Sequence, residues 1–311
     1  MPIEIALLGC AHPHVPDLLG VLASEPDLRL AAAWDADPSA VPPAIGGAAV
    51  GRARTAIGRA DAVVICAPVD ERPALCVEAA RAGRPILVEK PIALSAGEAA
   101  RLAREIGRSR TPAIPALFLR ELPALGRLAA VLRERLLGRL AGVTATWVHP
   151  GALDGWFTGP AAWMRDPARA GVGGFGDLAL HLLDALAALP ADAPPALSAV
   201  ALDRDGAGDV GGQAVGTWAG VPLGLRAGWA ARPGALELVV SGSAATATVR
   251  DGVLELASDA GPPQRWVGPP PDAGEALRAF AARLRSRRLP RDGLQPAVRS
   301  QAVLEAAVAL T

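Results

Sequence analysis

Short continuous apolar runs, each closed by glycine, proline or aspartate, alternate with longer segments of helical period through the first third of the chain. Ile3–Leu8, Leu28–Trp34, Asp61–Ala67, Pro85–Val88 and Thr111–Leu117 have the length and continuous apolarity of strands buried on both faces. Between them, Pro16–Ala23, Glu71–Ala82 and Ala96–Ile106 carry helical spacing, and a weak further strand is expected near Ala48–Val50. Strands that alternate with helices in this way form a doubly wound parallel sheet with right-handed crossovers.

The pattern changes after about residue 120. A helix is expected over Pro123–Leu137, a strand over Val143–Val148, then a long irregular stretch and a helix containing Asp177 and His181. Six strand-like pieces follow: Ala199–Leu202, Gln213–Trp218, Gly224–Trp229, Leu236–Ser241, Ala245–Arg250 and Val253–Ala257. Turn residues such as Asp251-Gly252 separate them, which predicts an antiparallel sheet covered on one face. Helices near Glu275–Ser286 and Gln295–Leu310 end the chain. The expected architecture is α/β plus α+β. A doubly wound parallel sheet over residues 1–118 precedes a domain over 119–311 built on an open, mainly antiparallel sheet. No repeat of about 20 to 50 residues suggests a solenoid.

Composition removes several function classes. Over 311 residues the 31 basic and 31 acidic side chains cancel, so there is no basic excess for a nucleic-acid backbone. Charge or proline interrupts each apolar stretch before the ~20 residues that a bilayer helix needs, and the first residues lack a basic leader. Cys10, Cys66 and Cys76 are too few and too scattered for a disulfide framework or a Cys-x-x-Cys metal site. They are expected as buried free thiols in a cytoplasmic protein.

The chemistry concentrates in two places. Gly171-Val-Gly-Gly-Phe-Gly-Asp177-Leu-Ala-Leu-His181 places a carboxylate and an imidazole one helical turn apart, with Leu178, Leu182, Leu183 and Leu186 turned to the core. Taken alone, such a pair reads more readily as the polar face of an amphipathic helix whose Asp and His pair at its surface. At the first strand–helix turn, Gly9-Cys10-Ala11-His12-Pro13-His14 keeps one glycine of the Rossmann Gly-x-Gly-x-x-Gly fingerprint. Ala11 and His14 replace the other two, and either imidazole could donate to a phosphate oxygen. Asp35, at the tip of the second strand, suits the two ribose hydroxyls of adenosine and would repel a 2′-phosphate, which favours NAD over NADP. It reads otherwise as a turn cap. His12-x-His14 could begin a metal site completed by His149, His181 or Asp177, but no metal signature accompanies it and no metal is expected. Trp147, Trp156, Phe157, Trp163 and Met164 flank the loop before Gly171, either to stack on a sugar ring or to pack. Arg165 in that loop is a candidate substrate contact and reads equally as a solvated turn charge.

Glu89-Lys90-Pro91, preceded by Asp61-Ala-Val-Val-Ile-Cys-Ala-Pro68, resembles the Gfo/Idh/MocA family of NAD(P)-dependent oxidoreductases. The segment through Asp177, His181 and Asp184, Arg120-Glu-Leu-Pro123, and Ser241-Gly-Ser-Ala-Ala245 are similar to further elements of that family, so the resemblance spans nearly the whole chain. It implies a Rossmann domain followed by an open-sheet domain that often forms homo-oligomers, here a homodimer or homotetramer. The implied activity is hydride transfer between nicotinamide and a hydroxyl or carbonyl carbon of a sugar, inositol or related polyol. Lys90, Asp177 and His181 would be catalytic. Gly9, Ala11, His12, His14, Asp35, Ala67, Pro68, Arg72, Glu89 and Lys90 would hold the cofactor, and Lys90, Trp163, Arg165, Asp177 and His181 the substrate. The Lys90–Pro91 bond is expected to be cis. The chemistry asks for such groups: a base to take the alcohol proton, and a cation to stabilise the alkoxide and depress the His181 pKa. The absence of tyrosine excludes a Tyr–Lys dyad. Three features depart from the pattern: the eroded glycine turn, Arg72 where the family frequently has histidine, and Ala179 where its Asp-x-Gly-x-His has glycine. The alternative they leave is a non-catalytic relative that senses a ligand or binds a partner.

Overall fold

The computed structural model describes residues 1–206, 208–290 and 293–309. The first part runs β1 (Ile3–Leu8), α1 (Val15–Ser24), β2 (Leu28–Trp34), α2 (Ala53–Arg59), β3 (Ala62–Ile65), α3 (Arg72–Arg81), β4 (Ile86–Val88), α4 (Ala96–Ser109) and β5 (Ala113–Pro115). It continues with α5 (Pro123–Arg133), β6 (Leu140–Val148), a short α6 (Pro167–Ala170) and α7 (Gly174–Ala188). Seven strands then follow without interruption: β7 (Ala196–Asp205), β8 (Gly208–Trp218), β9 (Val221–Gly228), β10 (Ala235–Gly242), β11 (Thr246–Arg250), β12 (Val253–Ser258) and β13 (Gly261–Val267). Helices α8 (Gly274–Ser286) and α9 (Gln295–Val308) complete the fold. No described helix is long and apolar enough to cross a membrane.

Two compact units result. One comprises Met1–Leu117, Trp156–Gly171 and Asp272–Arg299; the other comprises Phe118–Gly155, Val172–Pro271 and the final segment from Ser300.

In the first unit five parallel strands lie in the order β2-β1-β3-β4-β5. Every residue of β3 and β4 is buried, as expected for strands with helices on both faces. Ser95 caps α4 by accepting the Glu98 N–H at 3.2 Å, and the Glu98 carboxylate accepts the Leu94 N–H at 3.1 Å, so both side chains fix the start of the helix. The strand expected near Ala48–Val50 is reduced to one parallel bridge between Ala33 and Ala49. Pro42, Pro43 and the adjoining glycines favour 3-10 turns over a ladder, and an unexpected α2 follows them.

The second unit contains eight strands in the order β13-β12-β11-β10-β6-β9-β8-β7, in which only β6 and β9 pair in parallel. Helix α7 packs on β6, β8 and β9. Strand β13 escapes the sequence pattern because it carries Pro262 and Pro263, which a sheet tolerates at its edge. Helix α7 also departs from expectation: every residue from Gly174 to Leu186 is buried, the polar positions included.

Candidate active site

Within the first unit, the C-terminal ends of the parallel strands bring one set of expected residues together. Gly9 follows β1 with φ +91°, and a Cβ there would lie 2.0 Å from the Ala67 nitrogen, so the chains leaving β1 and β3 touch back to back. Only glycine permits that approach. Asp35, at the end of β2, accepts the Cys10 N–H at 2.6 Å and the Asp37 N–H at 2.9 Å. The Lys90–Pro91 bond after β4 is cis, as expected.

His12, His14 and Glu89 meet at this sheet end. His14 Nδ1 lies 2.9 Å from Glu89 Oε1, and the His12 and His14 ring centres are 4.6 Å apart. Burial disfavours the Glu89 carboxylate, yet His14, which also hydrogen-bonds it, and Lys90 outweigh that and hold the group well below the ordinary glutamate range. His12 is held neutral: burial drives its pKa well below 6.5, and His14, Arg72 and Lys90 push the same way against the Glu89 charge. Burial, then Asp35, pushes the Cys10 thiol up to about 12, and burial does the same for Cys76. All three cysteines are buried and free, as expected.

Arg72 is fully buried. Its guanidinium donates to the carbonyls of Ala67 at 2.7 Å, Glu89 at 3.2 Å and Pro91 at 2.6 Å, bracing the ends of β3 and β4. The Trp163 ring lies 5.6 Å from that guanidinium and 6.0 Å from the His12 ring. Trp163 is thus packed inside the first unit, whereas Arg165 is exposed.

In the second unit, α7 supports the other set. A Cβ on Gly174 would lie 2.4 Å from the Val210 carbonyl, so glycine lets the helix start against β8. Asp209 caps that start by accepting the Phe175 N–H at 2.7 Å. Asp177 accepts the Trp229 indole N–H at 2.9 Å. The His181 ring packs against both Phe118 and Trp147, each 4.9 Å away between centres, and those two rings are 5.6 Å apart. Asp184, only 1% exposed, takes both a 2.7 Å bond and a second contact from Arg120. Asp209, Trp229 and Phe118 were not singled out from the sequence, because their partners are distant along the chain. Trp147, a candidate for sugar stacking, packs on the imidazole.

Of the metal candidates, His149, His181 and Asp177 belong to the second unit, away in the chain from the His12/His14 turn. Among the described residues, the one cluster with ligand-like spacing is His12, His14 and Glu89, whose donor atoms lie within 4.8 Å of one another.

A parallel sheet with a close-approach glycine, a carboxylate at the second strand tip and a lysine at the fourth defines a nucleotide-binding α/β protein. Residues 3–111 match the Gfo/Idh/MocA model for an oxidoreductase family with an NAD-binding Rossmann fold, and residues 126–248 match the C-terminal domain of the same family. The chain belongs to the Gfo/Idh/MocA oxidoreductase family. It is similar to levoglucosan dehydrogenase of Pseudarthrobacter phenanthrenivorans, 26% identical over 110 residues (35% of this chain, 28% of that protein). It is also similar to inositol 2-dehydrogenase of Rhizobium meliloti, 30% identical over 206 residues (65% and 59%). The matched stretches thus span less than two thirds of either relative. In fold it resembles a 3-ketoreductase from Actinomadura kijaniata in complex with NADP and TDP-benzene, with a TM-score of 0.81 at 22% identity over 99% of this chain and 98% of that one. An oxidoreductase from Agrobacterium radiobacter in complex with NAD+, L-tartaric acid and magnesium gives a TM-score of 0.81 at 18% identity, over 99% and 96%.

The sheet end fits a dinucleotide at Gly9, where a Cβ would close the approach, and at Asp35, which is oriented by two backbone N–H groups. Asp35 and Lys90 would hold its adenosine ribose and nicotinamide ends.

Proposed function

We propose that this protein is an NAD-dependent dehydrogenase or reductase of the cytoplasm that acts on a hydroxyl or carbonyl carbon of a sugar, inositol or related polyol. One observation carries the reading. Lys90 is the only lysine in a chain whose other basic residues are all arginine, and it sits buried at the end of β4 in a Glu-Lys-Pro segment. A chain that uses guanidinium everywhere else keeps an ammonium where a compact point charge is needed for a developing alkoxide. The names of the relatives, levoglucosan dehydrogenase, inositol 2-dehydrogenase and 3-ketoreductase, point to the same substrate class.

When bound, the nicotinamide accepts or supplies the hydride. His181 takes the hydroxyl proton on a ring nitrogen, a task suited to imidazole near neutral pH. Asp177, fixed by the Trp229 indole, binds a second substrate hydroxyl or steadies the imidazole. Phe118 and Trp147 hold the His181 ring in place. Asp35 favours NAD over NADP because a carboxylate repels a 2′-phosphate.

Titration with NADH, read by energy transfer from the seven tryptophans, should saturate, and a polyol panel followed at 340 nm should reveal turnover. Lys90→Ala and His181→Ala should each lower kcat/KM by roughly 100- to 10,000-fold. Full turnover in either variant removes that residue from the mechanism. No saturable NADH signal would favour the ligand-sensing relative.

A further inference from the structure

The ladder between β3 and β4 ends where the Glu89 N–H reaches the Ile65 carbonyl at 2.9 Å. Beyond it, Pro91 has no N–H to give, and the Lys90 N–H turns back to the Glu89 carboxylate at 3.2 Å. The carbonyls of the residues on either side of Lys90 both go to one nitrogen. Arg72 Nη1 donates to the Glu89 carbonyl at 3.2 Å and to the Pro91 carbonyl at 2.6 Å. Arg72 Nε anchors the other edge of the guanidinium by donating to the Ala67 carbonyl at 2.7 Å, just past β3. Three N–H groups of one rigid plane thus meet three carbonyls, two of which flank the lysine.

Helix α3 itself has no need of an arginine at this position. Arg72 is its first residue and 0% exposed. A cation at a helix N-terminus opposes the helix dipole, and a buried guanidinium gives up its hydration. An imidazole there has at most two ring N–H groups and could not serve all three carbonyls. The guanidinium lies over the Trp163 ring, 5.6 Å from its centre. With no surface open to a ligand, Arg72 can act on one only through the backbone that it holds.

A brace for the sheet end alone is the other reading. That role needs the Ala67 and Glu89 carbonyls, at the ends of β3 and β4. It leaves unexplained the shortest of the three bonds, which goes to Pro91, past Lys90 and outside any strand.

We propose that Arg72 is a positioning residue for Lys90: by holding the carbonyls before and after it, the guanidinium fixes the lysine backbone and so aims its ammonium at the reacting oxygen. This rests on the role given to Lys90 above and extends it to a residue that the chain buries away from any ligand.

Lys90 is the only lysine of the chain, so labelling with [13Cε]lysine gives one side-chain signal, read without ligand on the full chain. In the wild type it should stand apart from the position of free lysine. In Arg72→Met, which fills the space and deletes the donors, it should move toward that position. On the polyol that turns over in the panel above, Arg72→Met should lower kcat by about 10- to 100-fold and leave the NADH dissociation constant within about 3-fold, a split that a loosened sheet end would not give. Millimolar guanidine should restore part of the kcat of Arg72→Ala, and Arg72→Met should cost nothing further in the Lys90→Ala background. Circular dichroism confirms folding, and Arg72→Ala with guanidine serves in place of Arg72→Met if the latter does not fold. A wild-type signal already at the free-lysine position, full kcat in Arg72→Met, a loss confined to NADH affinity, or losses that multiply in the double variant would each overturn the proposal and leave the dehydrogenase reading standing. Full turnover by Lys90→Ala, or none by the wild type, overturns both.

Discussion

At the residue scale, burial sets which protonation states the first unit can tolerate. His12 remains neutral when folded because burial, reinforced by His14, Arg72 and Lys90, lowers its pKa well below 6.5. The unfolded chain regains the ordinary value and so binds a proton that the folded chain refuses as the pH drops below about 6.5. Stability rises with pH wherever the unfolded state binds more protons. The His12 contribution is therefore complete above pH 6.5 and declines below it, with a limiting slope of about 1.4 kcal/mol per pH unit for one proton. Glu89, whose pKa is also depressed by its neighbours, adds a second loss only below its unfolded value of 4.5. Denaturant titrations between pH 7.5 and 5.5 should show the first loss, and His12→Gln should flatten it by one proton. An unchanged slope in that variant would mean that His12 takes up its proton as readily in the folded chain as in the unfolded one.

At the scale of elements, α7 shows where sequence pattern succeeds and where it stops. The Asp-x-x-x-His spacing and the glycines before it mark a helix with a close approach at its start, and that helix forms. Its periodicity also suggested a polar face, whereas Asp177, His181 and Asp184 are all buried, because partners far along the chain satisfy or enclose them: Trp229, Phe118 and Trp147, and Arg120. Such partners carry no local signal. The same limit explains β13, whose edge position tolerates prolines that a local reading treats as strand breakers, and the 3-10 turns near Ala48. Strands β1 to β5 were legible because burial on both faces demands unbroken apolarity. Since Asp184 is enclosed and paired with Arg120, removing that guanidinium should be severe. Arg120→Leu takes the guanidinium partner from a buried carboxylate and is expected to destabilise the second unit by about 3–5 kcal/mol. The double variant Arg120→Leu/Asp184→Leu should recover most of that loss in a denaturant-unfolding cycle. Equal destabilisation in the single and double variants would show that the pair matters by packing alone.

At the scale of the whole molecule, the eight-stranded sheet raises the question of association. Strands β6, β8 and β9 turn Val143, Ala145, Ala214, Leu223, Leu225 and Ala227 into the core and present Thr144, Gln213, Val215 and Arg226 to solvent. Val215 is 57% exposed at the centre of this face, which also carries Ala201 and Gly224 and is lined mainly by small side chains. On β6 to β9 this face carries mainly small residues with Arg226 and Asp203, whereas the Glu237–Arg250 and Glu255–Arg265 ion pairs cover it on β10 to β13, so the β6 to β9 part is the less charged and the better suited to self-association. An isologous contact through it would bury Val215 of each copy against the other, which is the geometry of a two-fold dimer. Sedimentation equilibrium at micromolar concentration should therefore report a dimer or tetramer of the 31.6 kDa chain. Val215→Glu places like charges against each other across the axis and should shift the protein toward monomer while leaving the far-UV spectrum intact. A monomeric wild type, or an oligomer indifferent to that charge, would assign association to another surface or to none.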